Sequence, residues 1–151
     1  MNDFIIEKKF ELSLKALLED FDKAESFLQD VPAKNVLVQK KLHIIDNYVE
    51  HDILIKLDYT RSIIEKIKFF FDFNYATYRL VMPNTVYNWH MDSGLICYHI
   101  PLISNNGCFF AYEEKNYKML VGKLYKVQTG LFHTFFNAGP EARLHLTFEN
   151  L

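Results

Sequence analysis

His90-Met91-Asp92 sets two metal-ligating side chains two positions apart, His133 follows far downstream, and Arg143 stands ten positions beyond that histidine. Two imidazoles and one carboxylate are the ligand set of a facial-triad iron(II) site, which leaves coordination positions open. An arginine at fixed distance from the last ligand adds a planar fork that grips a carboxylate. The combination predicts oxygen chemistry with an acidic co-substrate.

His-x-Asp by itself carries little, because six histidines and nine aspartates in 151 residues give about 0.4 such pairs by chance. The pattern around the residues carries more. Thr85 to Asp92 follows the turn Met82-Pro83-Asn84 and reads as the end of a strand, so His90 and Asp92 face one way. Gly130 to Asn137 is an aromatic strand closed by Ala138-Gly139-Pro140. Glu141 to Phe148 alternates, with Arg143, His145 and Thr147 on one face. A tight hairpin at Asn137 to Glu141 would set His133 opposite Arg143, putting ligand and clamp on one wall. The plainer alternatives are a strand histidine satisfied by a neighbour, an Asp92-Ser93-Gly94 turn and a surface arginine.

Two helices and a run of strands must position these groups. Asp3 to Phe10 reads as a strand and Ser13 to Gln29 as an amphipathic helix ended by Val31-Pro32. The stretch from Ala33 to Leu57 has no strong pattern. Asp58 or Thr60 can cap a second helix carrying Ile63, Ile64, Ile67, Phe70 and Phe71 at helical spacing. From Phe73 onward short strands alternate with turns, at Tyr75–Met82, Val86–Met91, Leu95–Ile103, Cys108–Tyr112, Met119–Val121, Lys123–Gln128, Leu131–Phe136 and Ala142–Phe148. That order predicts a mainly β fold with N-terminal helices, built on a double-stranded β-helix, the jelly-roll or cupin-like barrel.

Half the residues are hydrophobic and the formal charge is −2, which predicts one domain over residues 1–151, with N-terminal support to about residue 72 and the barrel beyond it. No dense Lys/Arg cluster occurs, Lys8-Lys9 and Lys40-Lys41 being only doublets, so no nucleic-acid partner is expected. The lack of a long apolar run predicts a soluble cytoplasmic protein without a membrane partner. A hairpin closed at Ser104 to Gly107 would set Cys108 opposite Ile103 rather than Cys97, so both thiols are expected reduced. Nothing in the sequence fixes an oligomeric state.

Six pieces in order, Tyr78-Arg79-Leu80, Trp89-His90-Met91-Asp92, Tyr98-His99-Ile100-Pro101-Leu102, Gly122-Lys123-Leu124-Tyr125, His133 to Asn137 and Arg143 to Leu146, carry a family resemblance. The chain from about Tyr75 to Glu149 resembles the iron(II)/2-oxoglutarate-dependent oxygenases, in the branch of aspartyl/asparaginyl β-hydroxylases and free-proline hydroxylases. The resemblance implies His90, Asp92 and His133 as iron ligands and as the catalytic centre, Arg143 as partner of the distal carboxylate of 2-oxoglutarate, and His99 facing its iron-chelating end. It also implies hydroxylation of a C–H bond of a small amino acid or peptide side chain, coupled to formation of succinate and carbon dioxide. Some members carry an arginine where this chain has Cys97. Arg79, Tyr87, Trp89, Phe109 and Tyr112 are candidates to border the pocket, with Arg79 meeting either a substrate carboxylate or a structural partner. The competing reading is a cupin-like metal- or ligand-binding module without redox turnover.

Overall fold

The computed structural model describes residues 3–33, 36–113 and 115–151. After the short strand β1 (Ile5–Lys8), helix α1 (Leu14–Ala24) opens on Ser13, whose hydroxyl accepts from the Ala16 amide at 3.2 Å. The helix ends at Ala24 rather than Gln29, tightens into one 3-10 turn at Glu25–Phe27, and gives way to strand β2 (Gln29–Ala33). Pro32 therefore lies inside a strand. It is tolerated because β2 is an edge of its sheet and the register shifts between Val31 and Pro32.

The patternless stretch forms β3 (Val36–Asp46), which turns through Asn47 and Tyr48, both at positive φ, into β4 (Val49–Glu50). Positive φ at both central residues of a two-residue loop matches the right-handed twist of the paired strands. A 3-10 turn at Asp52–Lys56 leads into α2 (Asp58–Lys68). Neither Asp58 nor Thr60 caps it. The cap position is Leu57, and the acceptor comes from the other helix, where Asp20 Oδ2 takes the Thr60 amide at 2.7 Å and its hydroxyl at 2.9 Å. Ile63, Ile64 and Ile67 are fully buried, whereas Phe70 lies past the helix end and is half exposed.

The remaining strands are β5 (Tyr75–Val81), β6 (Thr85–Val86), β7 (Cys97–Ile103), β8 (Cys108–Tyr112), β9 (Asn116–Tyr117), β10 (Leu124–Val127), β11 (His133–Asn137) and β12 (Arg143–Glu149). The segment Met119–Val121 is not a strand, and β6 stops at Val86 instead of Met91. Among the described residues the strands form an eight-stranded sheet, ordered β1-β10-β7-β12-β5-β3-β2 with β4 beside β3, and a four-stranded sheet ordered β6-β11-β8-β9. These two sheets make the double-stranded β-helix.

Both expected hairpins are overturned. β11 pairs with β6 and β8 in the small sheet, while β12 pairs with β5 and β7 in the large one, so residues 137–141 cross between sheets. Asn137 and Asn105 hold that crossing, with both side-chain amides donating to the Glu141 carbonyl, at 2.7 and 3.0 Å. The segment between β7 and β8 crosses in the same way, which separates Cys108 from Ile103. Both cysteines are buried and free.

Leu42, Ile44, Tyr78, Ile100, Leu144, Leu146 and Phe148 cover the outer face of the large sheet and pack against Leu17, Phe21, Ile63 and Ile64 of the two helices. The inner face, toward the small sheet, is polar over β3, β5, β12 and β7. No helix among the described residues is long and apolar enough to cross a membrane.

Candidate functional site

Between the two sheets lies a cavity of about 240 Å³, bordered by His90, Asp92 and His133 on one side and by Lys41, Arg79, His99 and Arg143 on the other. The donor atoms of His90, Asp92 and His133 all lie within 4.8 Å of one another. His90 Nε2 stands 3.3 Å from Asp92 Oδ1, and His133 Nε2 stands 3.9 Å from Asp92 Oδ2.

Backbone contacts put them there. His90 lies outside any strand, but its amide donates to the His133 carbonyl at 2.8 Å and the His133 amide returns the bond at 2.9 Å. The Asp92 amide donates to the Thr129 carbonyl at 2.9 Å. Each histidine also directs its Nδ1–H to a carbonyl two residues back, His90 to Asn88 at 2.6 Å and His133 to Leu131 at 2.7 Å. That bond fixes the tautomer and leaves each Nε2 with a lone pair facing Asp92. The set can hold a divalent ion.

The electrostatics suit that use. Burial raises the Asp92 carboxyl, but the hydrogen bond with His90 and the charges of His133, His90 and Arg79 outweigh it and hold it below the usual carboxylate range. His133 is shifted down by burial, toward the neutral form that coordinates metals. The hydrogen bond to Asp92 shifts His90 up.

Arg143 lies on the opposite wall from His133, not beside it. Its guanidinium carbon sits 4.9 Å from the Phe135 ring centre, it is only 3 % exposed, and its Nε has no hydrogen-bond partner among the described residues. Burial lowers its pKa to about 10, which leaves it charged near neutrality. A buried cation with an orphaned donor is costly unless an anion joins it. A carboxylate entering the cavity would supply that anion.

His99 borders the same cavity and is hydrogen bonded through Nδ1 to His145 Nδ1 at 3.0 Å, one ring donating and the other accepting. Burial, then the Arg143 charge, pushes both imidazoles well below their usual range, so both are neutral. Arg79 borders the cavity but is paired with Glu149 at 2.7 Å and with Thr147 at 2.9 Å. Tyr87 lines the cavity. Trp89, Phe109 and Tyr112 do not, and Trp89 instead stacks on Phe132 at 5.4 Å outside it. Sequence reasoning missed Gln39, Lys41, Thr129, Phe110, Phe135 and Glu149, which also line the cavity. The alternation Gln39, Lys41, His43 against Leu42 and Ile44 was the available signal for the first two.

A family model for the aspartyl/asparaginyl beta-hydroxylases matches residues 34–150. No curated protein matches the chain by sequence. Among solved structures, a Pseudomonas putida prolyl-4-hydroxylase is 17% identical with a TM-score of 0.60, over 97% of this chain and 92% of that one. The viral collagen prolyl hydroxylase of Paramecium Bursaria Chlorella virus-1 is 12% identical with a TM-score of 0.63, over 97% and 95%. A Trichoplax adhaerens prolyl hydroxylase, in complex with a hypoxia inducible factor peptide fragment, is 13% identical with a TM-score of 0.67, over 96% and 81%. At these identities the structural likeness establishes the fold.

Proposed function

This chain belongs to the aspartyl/asparaginyl beta-hydroxylase family, whose members are 2-oxoglutarate-dependent hydroxylases, and from that premise we propose that it hydroxylates a C–H bond of a small amino acid or peptide side chain. The observation that supports this most is the pairing, in one cavity, of three converging donor atoms with a buried arginine that lacks an anion.

His90, Asp92 and His133 would hold the iron, Arg143 would hold the distal carboxylate of 2-oxoglutarate, and His99 would border its chelating end. Iron and 2-oxoglutarate bound there would supply the activation of dioxygen, one oxygen atom going into the substrate C–H bond and the other into succinate with release of carbon dioxide. The chain supplies position and surroundings. The carbonyls of Asn88 and Leu131 keep the two imidazoles in the coordinating tautomer. His145 orients His99 through the 3.0 Å bond between their rings. Phe110, stacked on the His133 ring at 4.9 Å, keeps bulk water off that side of the site. Peptide substrates are consistent with the prolyl hydroxylase neighbours, one of which is seen with a peptide fragment.

Anaerobic addition of iron(II) and then 2-oxoglutarate to the purified protein tests the reading through the visible charge-transfer band of a chelated 2-oxo acid. The band is expected in the wild type and absent in His133→Ala. A folded wild type that holds iron without developing the band would favour a cupin-like module without redox turnover.

A further inference from the structure

The cavity contains a second cation without a carboxylate. Lys41, on β3, is half-buried on the cavity wall next to Gln39. Its register partner on β5 is Arg79, and Arg79 is already joined to Glu149 at 2.7 Å. Among the described residues no ion pair reaches Lys41, whereas its chain neighbour Lys40 lies 3.8 Å from Asp30.

The charges lining the cavity do not cancel. Lys41, Arg79 and Arg143 stand against Asp92 and Glu149, and His99 is neutral. An iron(II) ion and a doubly charged 2-oxoglutarate add nothing net. A positive charge is left over. Register shows where it resides: Arg143 aligns with Val81 and Gln39, while Lys41 aligns with Arg79 and His145, in the next inward-facing row. β3 and β12 are separated by two strand spacings, roughly 10 Å.

The two cations also have different surroundings. Lys41 feels Arg79, Glu149 and Asp92, whereas Arg143 feels Cys108 and Arg79. Arg143 therefore serves one end of the cavity and Lys41 another, toward the metal-ligating carboxylate. Burial, and then the Arg79 charge, lowers the Lys41 pKa to about 8, as expected of an ammonium drawn from water without a counter-ion.

Resting on the reading of this cavity as an iron and 2-oxoglutarate site, we infer that Lys41 anchors a carboxylate of the substrate, which is an amino acid or peptide bearing a free α-carboxylate or an acidic side chain. A neutral substrate would leave Lys41 desolvated with nothing to meet it.

Calorimetric titration under anaerobic conditions tests this, on protein first shown to hold iron(II) and 2-oxoglutarate by their absorption band. The probes are L-proline and L-prolinamide for the α-carboxylate, and the blocked peptides acetyl-Gly-Asp-Gly-amide and acetyl-Gly-Asn-Gly-amide for the side chain. At least one carboxylate is expected to bind about tenfold or more tightly than its amide, and the member of the panel that does so identifies the source. Lys41→Met should remove that preference and Lys41→Arg should keep it, with the absorption band intact in both. Lys41→Gln replaces the methionine variant if circular dichroism shows that variant unfolded. Equal binding of acid and amide, an unchanged preference in Lys41→Met, or no carboxylate binding at tens of millimolar would each overturn the assignment. A wild type that never forms the band would sink the co-substrate reading together with it.

Discussion

Along β12, Leu144, Leu146 and Phe148 turn to the helices with no exposed surface, while Arg143, His145, Thr147 and Glu149 turn to the cavity and are nearly as deeply buried. The same strand thus presents a face that stabilises the fold and one that strains it. Each large side chain on the helix face contributes about 1.5–3 kcal/mol by leaving water. On the cavity face, burial works against the charged groups, as the lowered pKa values of Arg143 and Lys41 show. The helix-backed face tolerates a site that is unfavourable until its ligands arrive.

The widest separation between the faces is expected from His133→Ala. Metal uptake should be lost outright in a metal titration, while the thermal midpoint without metal stays near that of the wild type. A large fall in that midpoint would mean the cavity face also carries the fold. Leu146→Ala should do the reverse, lowering stability by about 2–5 kcal/mol in denaturant unfolding, with metal affinity unchanged in the molecules that remain folded.

Arg143→Met sharpens the contrast further. Loss of a charge-assisted pair worth about 1.5–3 kcal/mol should weaken 2-oxoglutarate binding by about 10- to 150-fold. Removing an unpaired buried charge should leave the ligand-free protein as stable as before, or more so. A stability loss as great as that of Leu146→Ala would erase the distinction.

The smallest effect is on pH dependence. The charged form of Lys41 binds the anion, and that form is lost as pH rises through about 8. Burial, and then Arg79 from β5, lower that value, while Glu149 from β12 and Asp92, the other charges facing it, raise it. Carboxylate affinity at pH 9 should be about tenfold weaker than at pH 7 in the wild type. Lys41→Arg should show no such fall.

The spacing of His90, Asp92, His133 and Arg143 was legible because each sits beside a strand with a clear turn signal. Their relative placement was not. A turn such as Asn137 to Glu141 is compatible with a hairpin or with a crossing, and the choice rests on long-range contacts, the pairing of β11 and β12 into different sheets and the clip from Asn105. β3 was hidden for a related reason. Gln39, Lys41 and His43 alternate with Leu42 and Ile44, but nothing local reveals that a second sheet closes over the polar side. The cap of α2 was equally out of reach, since Asp20 acts from 40 positions away.

The reciprocal backbone bonds between His90 and His133 bear on how a metal would enter. Bringing two ligands together from distant parts of a chain carries a loop-closure entropy on the order of 3 kcal/mol. Here folding meets that cost through two amides and two carbonyls, before any ion is present. The site is therefore preorganised: an ion can exchange with a fixed set of donors, and its arrival or departure need not be a folding event.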